Sequence, residues 1–359
     1  LNIKYKIYKL LNIQPLNFEK IFIMNQDNNK KSNEKSQAEY LTKENPNRFV
    51  IFPIKHNDMW EMFQKHRQTF WVENEVDLES DLLDWEKLSI NEQHFIKMVL
   101  AFFASSDGIV MENIGLKFFQ EVQIPEARAF YSIQLLMESI HSIMYSQLID
   151  TYISDNNEKN TLFNSIENFP SIKQKADWAM KYINDSDNFA TRLIAFACVE
   201  GIFFSGSFCA IYWLNERGIM PGLCKSNEFI SRDEGLHTDF ACLLYRKYII
   251  NKLDYADVKN IVETAVNIEI EFITESLPCS LLGMNSTNMC EYIKFVANRL
   301  VIQLGYSAIY ENTIQPFDFM NRICLENKTN FFEGKVSEYS KNIDTIKIDD
   351  MSFNDDVDF

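Results

Sequence analysis

Residues 195–214, AFACVEGIFFSGSFCAIYWL, form a twenty-residue apolar run with a single charge, Glu200. The run is long enough to cross a bilayer, which takes about 20 apolar residues. The sequence favours another reading, the central helix of a soluble bundle. No second run of this quality is found, and the flanking segments repeat apolar residues at three and four in the manner of amphipathic soluble helices. In either setting Glu200 is a carboxylate in apolar surroundings, and a buried charge has to be paired or bound to a cation. Gly201, Ser205, Gly206 and Ser207 in the same run predict a local distortion, a π-bulge that lets the Glu200 carboxylate shift.

The text on either side has the same helical grain. Apolar periodicity predicts helices over 56–70, 89–121, 126–154, 160–184, 187–217, 226–251, 255–277 and 287–312, with breaks at Pro125, Pro170, Gly218 to Gly222 and Pro278 to Gly283. Glycine and proline number only 18 in 359 residues, well under the roughly 12% of average usage. That scarcity argues against a turn-rich sandwich or barrel. Apolar residues make up 46% of the chain, enough for a sizeable core. The expected architecture is all-α.

Charge and cysteine usage narrow the function. Asp and Glu number 51 against 35 Lys and Arg, a net charge of −16. A surface that negative repels phosphate backbones, so no nucleic-acid partner is expected, and no membrane partner either. The seven cysteines are odd in number and contain no C-x-x-C pair, which excludes a disulfide framework or thiolate zinc site and predicts a reducing, cytoplasmic setting. No Gly-rich phosphate loop is present. Residues 1–23 lack a continuous apolar stretch, so no secretory signal is expected; a transit peptide stays open, and Met24 is a candidate start. The polar composition assigns 1–45 to a disordered N-terminal extension, 46–331 to the helical domain and 332–359 to a flexible tail.

Two of the five histidines sit three residues after a glutamate, in Glu138-Ser-Ile-His141 and Glu234-Gly-Leu-His237. On a helix that spacing puts both side chains on one face, close enough to chelate one ion. Alone, such pairs also fit ordinary histidines beside helix glutamates. Two further carboxylates strengthen the case. Asp107, in MVLAFFASSDGIVM, precedes the first pair by 31 residues, and Glu200 precedes the second by 34. A helical hairpin accounts for the first separation. Asp107 to Glu121 is about 21 Å of helix and Glu126 back to Glu138 about 18 Å. The second hairpin is uneven, with about 26 Å out from Glu200 to Arg217 and about 12 Å back from Ser226 to Glu234, so the loop 218–225 is expected to run back along the bundle. Four carboxylates and two imidazoles from four helices match the two-metal carboxylate site of ferritin-like bundles. Oxygen-rich ligands without thiolate select iron or manganese.

With these residues in place, the sequence closely resembles the small, radical-generating subunit of class I ribonucleotide reductase, eukaryotic type. The likeness runs from about Asn45 to Phe359 and rests on NPNRFVIFPI (45–54), FWVENEVDL (70–78), AFFASSDGIV (101–110), MESIHSIMYSQLIDTYI (137–153), the apolar run itself, MPGLCKSNEFISRDEGLHTDFACLLY (220–245), KTNFFEGKVSEY (328–339) and FNDDVDF (353–359). The resemblance implies a ferritin-like bundle with two irons per subunit, oxo-bridged when oxidised, with manganese left open. It places one metal on Asp107, Glu138 and His141, and the other on Glu200, Glu234 and His237. It implies a radical at Tyr145, transfer through Asp233, Trp71 and Tyr339, and reduction of ribonucleoside diphosphates on a separate large subunit. The small subunit would be a homodimer within a heterotetramer or larger assembly, docked through its tail by Phe353, Val357 and Phe359.

The residues support several of these expectations independently. Tyr145 lies four after His141, on the stripe of Glu138 and His141. Phe204 and Phe208 follow Glu200 by four and eight, and Ile230 precedes Glu234 by four, which predicts a dry wall around a radical, or plain core if no metal is bound. Asp233 points away from its own ligand stripe and is a candidate acceptor for a ligand histidine N–H. Trp71 carries no signal of its own. The rivals are a di-iron oxygenase or desaturase, which needs no radical tyrosine, and a non-enzymatic iron-storage protein, which is usually shorter.

Overall fold

Short polar side chains and prolines fix where the helices start. Ser89 accepts the N–H of Glu92 while the Glu92 carboxylate accepts the N–H of Ser89, a reciprocal cap that satisfies two orphan donors. Pro125 and Pro221 each occupy a first helical turn, where no N–H is needed. The computed structural model describes residues 39–185 and 188–320, and among these every regular element is helical. The principal helices are α1 (Asn57–Gln68), α2 (Ile90–Asn113), α3 (Pro125–Tyr152), α4 (Pro170–Asp185), α5 (Phe189–Cys198), α6 (Ser205–Glu216), α7 (Pro221–Tyr248), α8 (Tyr255–Glu271) and α9 (Ser286–Leu304). The all-α expectation holds.

The deciding run falls on α5 and α6, joined by the π-helical turn Val199–Phe203. The expected distortion therefore sits on Glu200 itself. Two helical stretches, Ile90–Glu121 and Phe189–Glu216, are long and apolar enough to cross a membrane, so the expectation of one such run is corrected. In Phe189–Glu216, 94% of the apolar window is buried inside the protein, which is the packing of a core helix.

Three boundaries depart from the periodicity. The segment 160–184 starts earlier and is parted at Asn164 into Asn156–Phe163 and Ser165–Asn168 before the expected break at Pro170, which has no N–H for the preceding turn and opens α4. Gly305, at φ +98°, ends α9 eight residues before 312. The helix expected from 226 begins at Pro221. Its first N–H groups, those of Gly222 and Leu223, each donate to the buried Asp81 carboxylate at 2.7 Å. A Cβ at position 222 would come within 2.3 Å of the Asp77 carbonyl, so the close approach requires glycine there. Pro221 to Glu234 is then about 20 Å of helix against about 24 Å from Glu200 to Glu216. The second hairpin is nearly level, and the returning loop is not needed.

Order also begins earlier than composition suggests. Leu41 is fully buried and its carbonyl accepts the Gln123 N–H at 2.8 Å. Glu39 accepts from the backbone of Ile250 and Asn251 at 3.0 and 2.6 Å. Residues 39–45 are thus packed on the bundle, contrary to the expected extension over 1–45. Residues 1–38 and 321–359 lie outside the described residues, and with them the expected tail, Tyr339, Phe353, Val357 and Phe359.

Candidate metal centre

α2, α3, the α5–α6 run and α7 bring Asp107, Glu138, His141, Glu200, Glu234 and His237 into one buried cluster. All six are at most 2% exposed. Their donor atoms form two overlapping groups, Asp107–Glu138–His141 and Glu138–Glu200–Glu234–His237. Glu138 belongs to both, so the three-plus-three division is not strict. Glu234 also reaches across, with Oε1 3.1 Å from His141 Nδ1 and Oε2 3.1 Å from His237 Nδ1. Both imidazoles turn Nδ1 inward; His237 Nδ1 is 2.9 Å from Glu138 Oε1 and 3.7 Å from Glu200 Oε2.

The electrostatics are those of too many carboxylates in too little water. Burial, then the charge of Glu138, pushes the Asp107 carboxyl well above its ordinary range. Burial does the same to Glu200, reinforced by Glu234 and Glu138. Burial opposes ionisation of Glu234 too, but a hydrogen bond from Glu200 and the His237 charge outweigh it and hold that carboxyl low. For His141 and His237 burial favours the neutral ring, yet the surrounding carboxylates prevail and hold both pKa values well above the ordinary range. Neither Asp107 oxygen has a hydrogen-bond partner, and the Glu138 oxygens meet imidazole nitrogens only as ion pairs. Buried acceptors left without donors are what a bound cation answers. The donor set fits a metal cofactor: four carboxylates balance two divalent ions and no thiolate intervenes.

The surroundings follow the expected pattern and add to it. The Asp233 carboxylate lies 3.3 Å from His141 Nε2 and accepts the Trp71 indole N–H at 2.7 Å. Trp71 is fully buried and stacks on His141 at 6.0 Å. Arg232 lies against the other Asp233 oxygen at 3.2 Å. Burial resists the Asp233 charge, but the His141 hydrogen bond and Arg232 keep its pKa low. Tyr145 is buried, and burial followed by the Asp107, Glu234 and Glu138 charges raises its pKa well above 10. Phe204, Phe208 and Ile230 are buried as expected.

Sequence reasoning missed Phe103, Gln134 and His66. Phe103 stacks on Tyr145 at 4.7 Å and packs on Phe204 and Phe208 at 5.5 and 5.0 Å. It lies four before Asp107, so helical spacing was a usable signal. Gln134 Nε2 donates to Glu200 at 3.3 Å. His66 on α1 meets His237; burial, then the His237 charge, lowers its pKa to about 3, which makes it a neutral ring.

Comparison with known proteins points the same way. The chain matches the family described as ribonucleotide reductase, small chain, over residues 48–316. It is 58% identical over 303 residues to the ribonucleoside-diphosphate reductase small chain of Trypanosoma brucei brucei, covering 84% of this chain and 90% of the relative. It is 59% identical over 304 residues to the small subunit from Dictyostelium discoideum, covering 84% and 89%. Among solved structures, the ribonucleotide reductase Rnr4 homodimer from Saccharomyces cerevisiae superposes with a TM-score of 0.74 at 36% identity, covering 90% of this chain and 98% of that one.

Proposed function

The chain belongs to the ribonucleotide reductase small-chain family, and from that premise we propose that its cluster holds two irons that serve a radical at Tyr145. The activity is that of an oxidoreductase small subunit for ribonucleoside diphosphates; the oxygenase and storage alternatives fall away with the family. The single observation that carries the radical reading is a buried tyrosine, stacked on Phe103, beside carboxylates that lack partners.

When bound, the metal pair supplies the O2-dependent one-electron oxidation that no side chain here can supply. The protein's own groups do the rest. Tyr145 would give up an electron to the metal pair and its hydroxyl proton to a base at the cluster, whose Asp107, Glu234 and Glu138 charges act on the buried phenol. Phe103, Phe204, Phe208 and Ile230 exclude water and any hydrogen donor from the ring. Asp233 orients His141 and ties it to Trp71, a hydrogen-bonded line from the cluster toward α1. That line supports the reading in which Trp71 and Asp233, with Tyr339, carry the oxidising equivalent to a large subunit docked by Phe353, Val357 and Phe359.

The subunit itself is read as a homodimer within a heterotetramer or larger assembly. The S. cerevisiae relative is a homodimer, and exposed Leu136 and Ile143 stand seven apart on one face of α3. The cytoplasmic setting accords with the cysteines of the described residues, all of which are free thiols. Loading with Fe(II) in air and recording low-temperature EPR tests the function. Wild type gives a tyrosyl radical signal; Tyr145→Phe binds the same metal and gives none. A persisting tyrosyl signal in Tyr145→Phe would remove the assignment.

A further inference from the structure

The two cluster imidazoles share an inner atom but differ in outer partner. His141 turns Nδ1 to Glu234 at 3.1 Å and meets the Asp233 carboxylate with Nε2 at 3.3 Å. His237 turns Nδ1 to Glu138 and Glu234 at 2.9 and 3.1 Å, but its Nε2 meets another imidazole, Nε2 of His66, at 2.9 Å. His66 is fully buried, tilted 59° to the His237 ring, and packed on Phe130 at 5.5 Å. Its Nδ1 has no hydrogen-bond partner. A histidine on this wall is not part of the ligand set, and its only polar ring contact is to a ligand.

We propose that His66 is a positioning residue that fixes the His237 tautomer and makes the two metal positions inequivalent. A metal on His237 Nδ1 needs the lone pair there, so the ring proton must sit on Nε2. That N–H then donates to the His66 Nε2 lone pair, and His66 carries its own proton on Nδ1, the atom without a partner. A neutral imidazole is a weaker acceptor than a carboxylate. His237 is therefore a less basic ligand than His141, whose outer N–H faces an anion, and the metal on the His237 side is the weaker of the two. The inference rests on the metal reading of the cluster and adds an order of affinity to it.

Co(II) titration followed by its visible spectrum tests this on the full chain. Wild type takes up two ions, the second more weakly. His66→Leu, which removes the acceptor, weakens the second ion by about 10-fold to 100-fold and leaves the first unchanged, as loss of a ligand's outer partner does elsewhere. His66→Gln, whose carbonyl accepts the same N–H, stays close to wild type. Two ions in wild type with unaltered affinities in His66→Leu overturn the role of His66 and leave the cluster; fewer than two in wild type overturn both. A second measurement needs no variant. In Zn(II)-loaded wild type, nitrogen-15 NMR should show His66 protonated at Nδ1; protonation at Nε2, with His66 donating, overturns the proposal.

Discussion

Two buried charged groups flank the π turn at Val199–Phe203, and they are built on opposite principles. On one side Glu200 joins three further carboxylates and two imidazoles, with the Asp107 oxygens left without donors. On the other, Lys175 and Glu269 form an ion pair at 2.5 Å, one positive charge against one negative, although Glu269 Oε2 meets the lysine only as an ion pair. Lys175 Nζ also donates to the Phe203 carbonyl at 2.9 Å and lies 3.8 Å from the ring centres of Phe102 and Phe272. Glu269 accepts the Gly206 N–H at 3.1 Å. The pair answers backbone groups at the junction between the π turn and α6, and its charges cancel. A buried set whose charges cancel one for one is architecture, whereas one with surplus carboxylates is a site.

The comparison breaks most visibly if the two sets respond alike to mutation. Glu234→Ala should abolish binding of at least one of two metal ions, read by metal analysis. Asp107→Ala should do the same while the apo protein melts at or above the wild-type temperature, because burial and the Glu138 charge disfavour that carboxylate and neither of its oxygens has a partner. Glu200→Ala and His141→Ala should likewise lose metal. Lys175→Met should do the reverse. It strands a buried carboxylate and should lower unfolding free energy by about 3–5 kcal/mol, with two metals still bound in the folded fraction. Lys175→Met/Glu269→Leu, which removes both charges, should regain most of that loss in denaturant unfolding. Metal loss in the pair variants, or unfolding in Asp107→Ala, would erase the distinction.

How much of this was legible in sequence follows the same divide. Glu138, His141, Glu234 and His237 declare themselves because helical spacing sets each pair locally. Asp107 and Glu200 are legible as carboxylates in apolar runs, and Gly201 to Ser207 foretold the distortion that carries Glu200. Lys175 and Glu269 were silent. In KQKADW and NIEIE they read as exposed helix charges, and only the fold places them together, 94 positions apart. Trp71 on Asp233 and His66 on His237 are separated by 162 and 171 residues; no local period encodes such a contact. The early start of α7 was hidden for another reason. Its first turn depends on the distant Asp81, and left-handed Met220 at φ 56° precedes the Pro221 that begins it.

A smaller substitution sharpens the contrast at the junction. A Cβ on Gly206 would stand 2.5 Å from Glu269 Oε1 and 3.2 Å from Ile273. The carboxylate is held by Lys175, so it cannot simply swing aside. Gly206→Ala should destabilise by about 1–3 kcal/mol, the usual range for overpacking a core, measured by denaturant titration. Gly108→Ala, on the ligand helix α2 where nothing lies within 4 Å of the added carbon, should instead stabilise by about 0.5–1 kcal/mol, the helix preference of alanine over glycine.

The pH dependence of apo stability carries a sign that separates the pair from a surface salt bridge. Burial raises the Glu269 carboxyl from 4.5 to about 7, against the pull of Lys175. The folded protein therefore holds a proton that the unfolded chain has released, and the contribution of this group falls as pH rises from 4.5 through 7. Burial lowers Lys175 from 10.5 to about 8, again against its partner. Here the unfolded chain holds the extra proton, so the contribution of the lysine grows as pH rises from about 8 to 10.5 and is lost as pH falls through 8. Both groups thus contribute least between about pH 7 and 8, where both are charged. An exposed salt bridge would contribute most in that window. The free energy difference between Lys175→Met/Glu269→Leu and wild type, followed from pH 5 to 10 in roughly unit steps, should accordingly favour the double variant most near neutrality. A difference that instead favours wild type most near neutrality would mean that the pair works by attraction at the surface rather than by closing a buried junction.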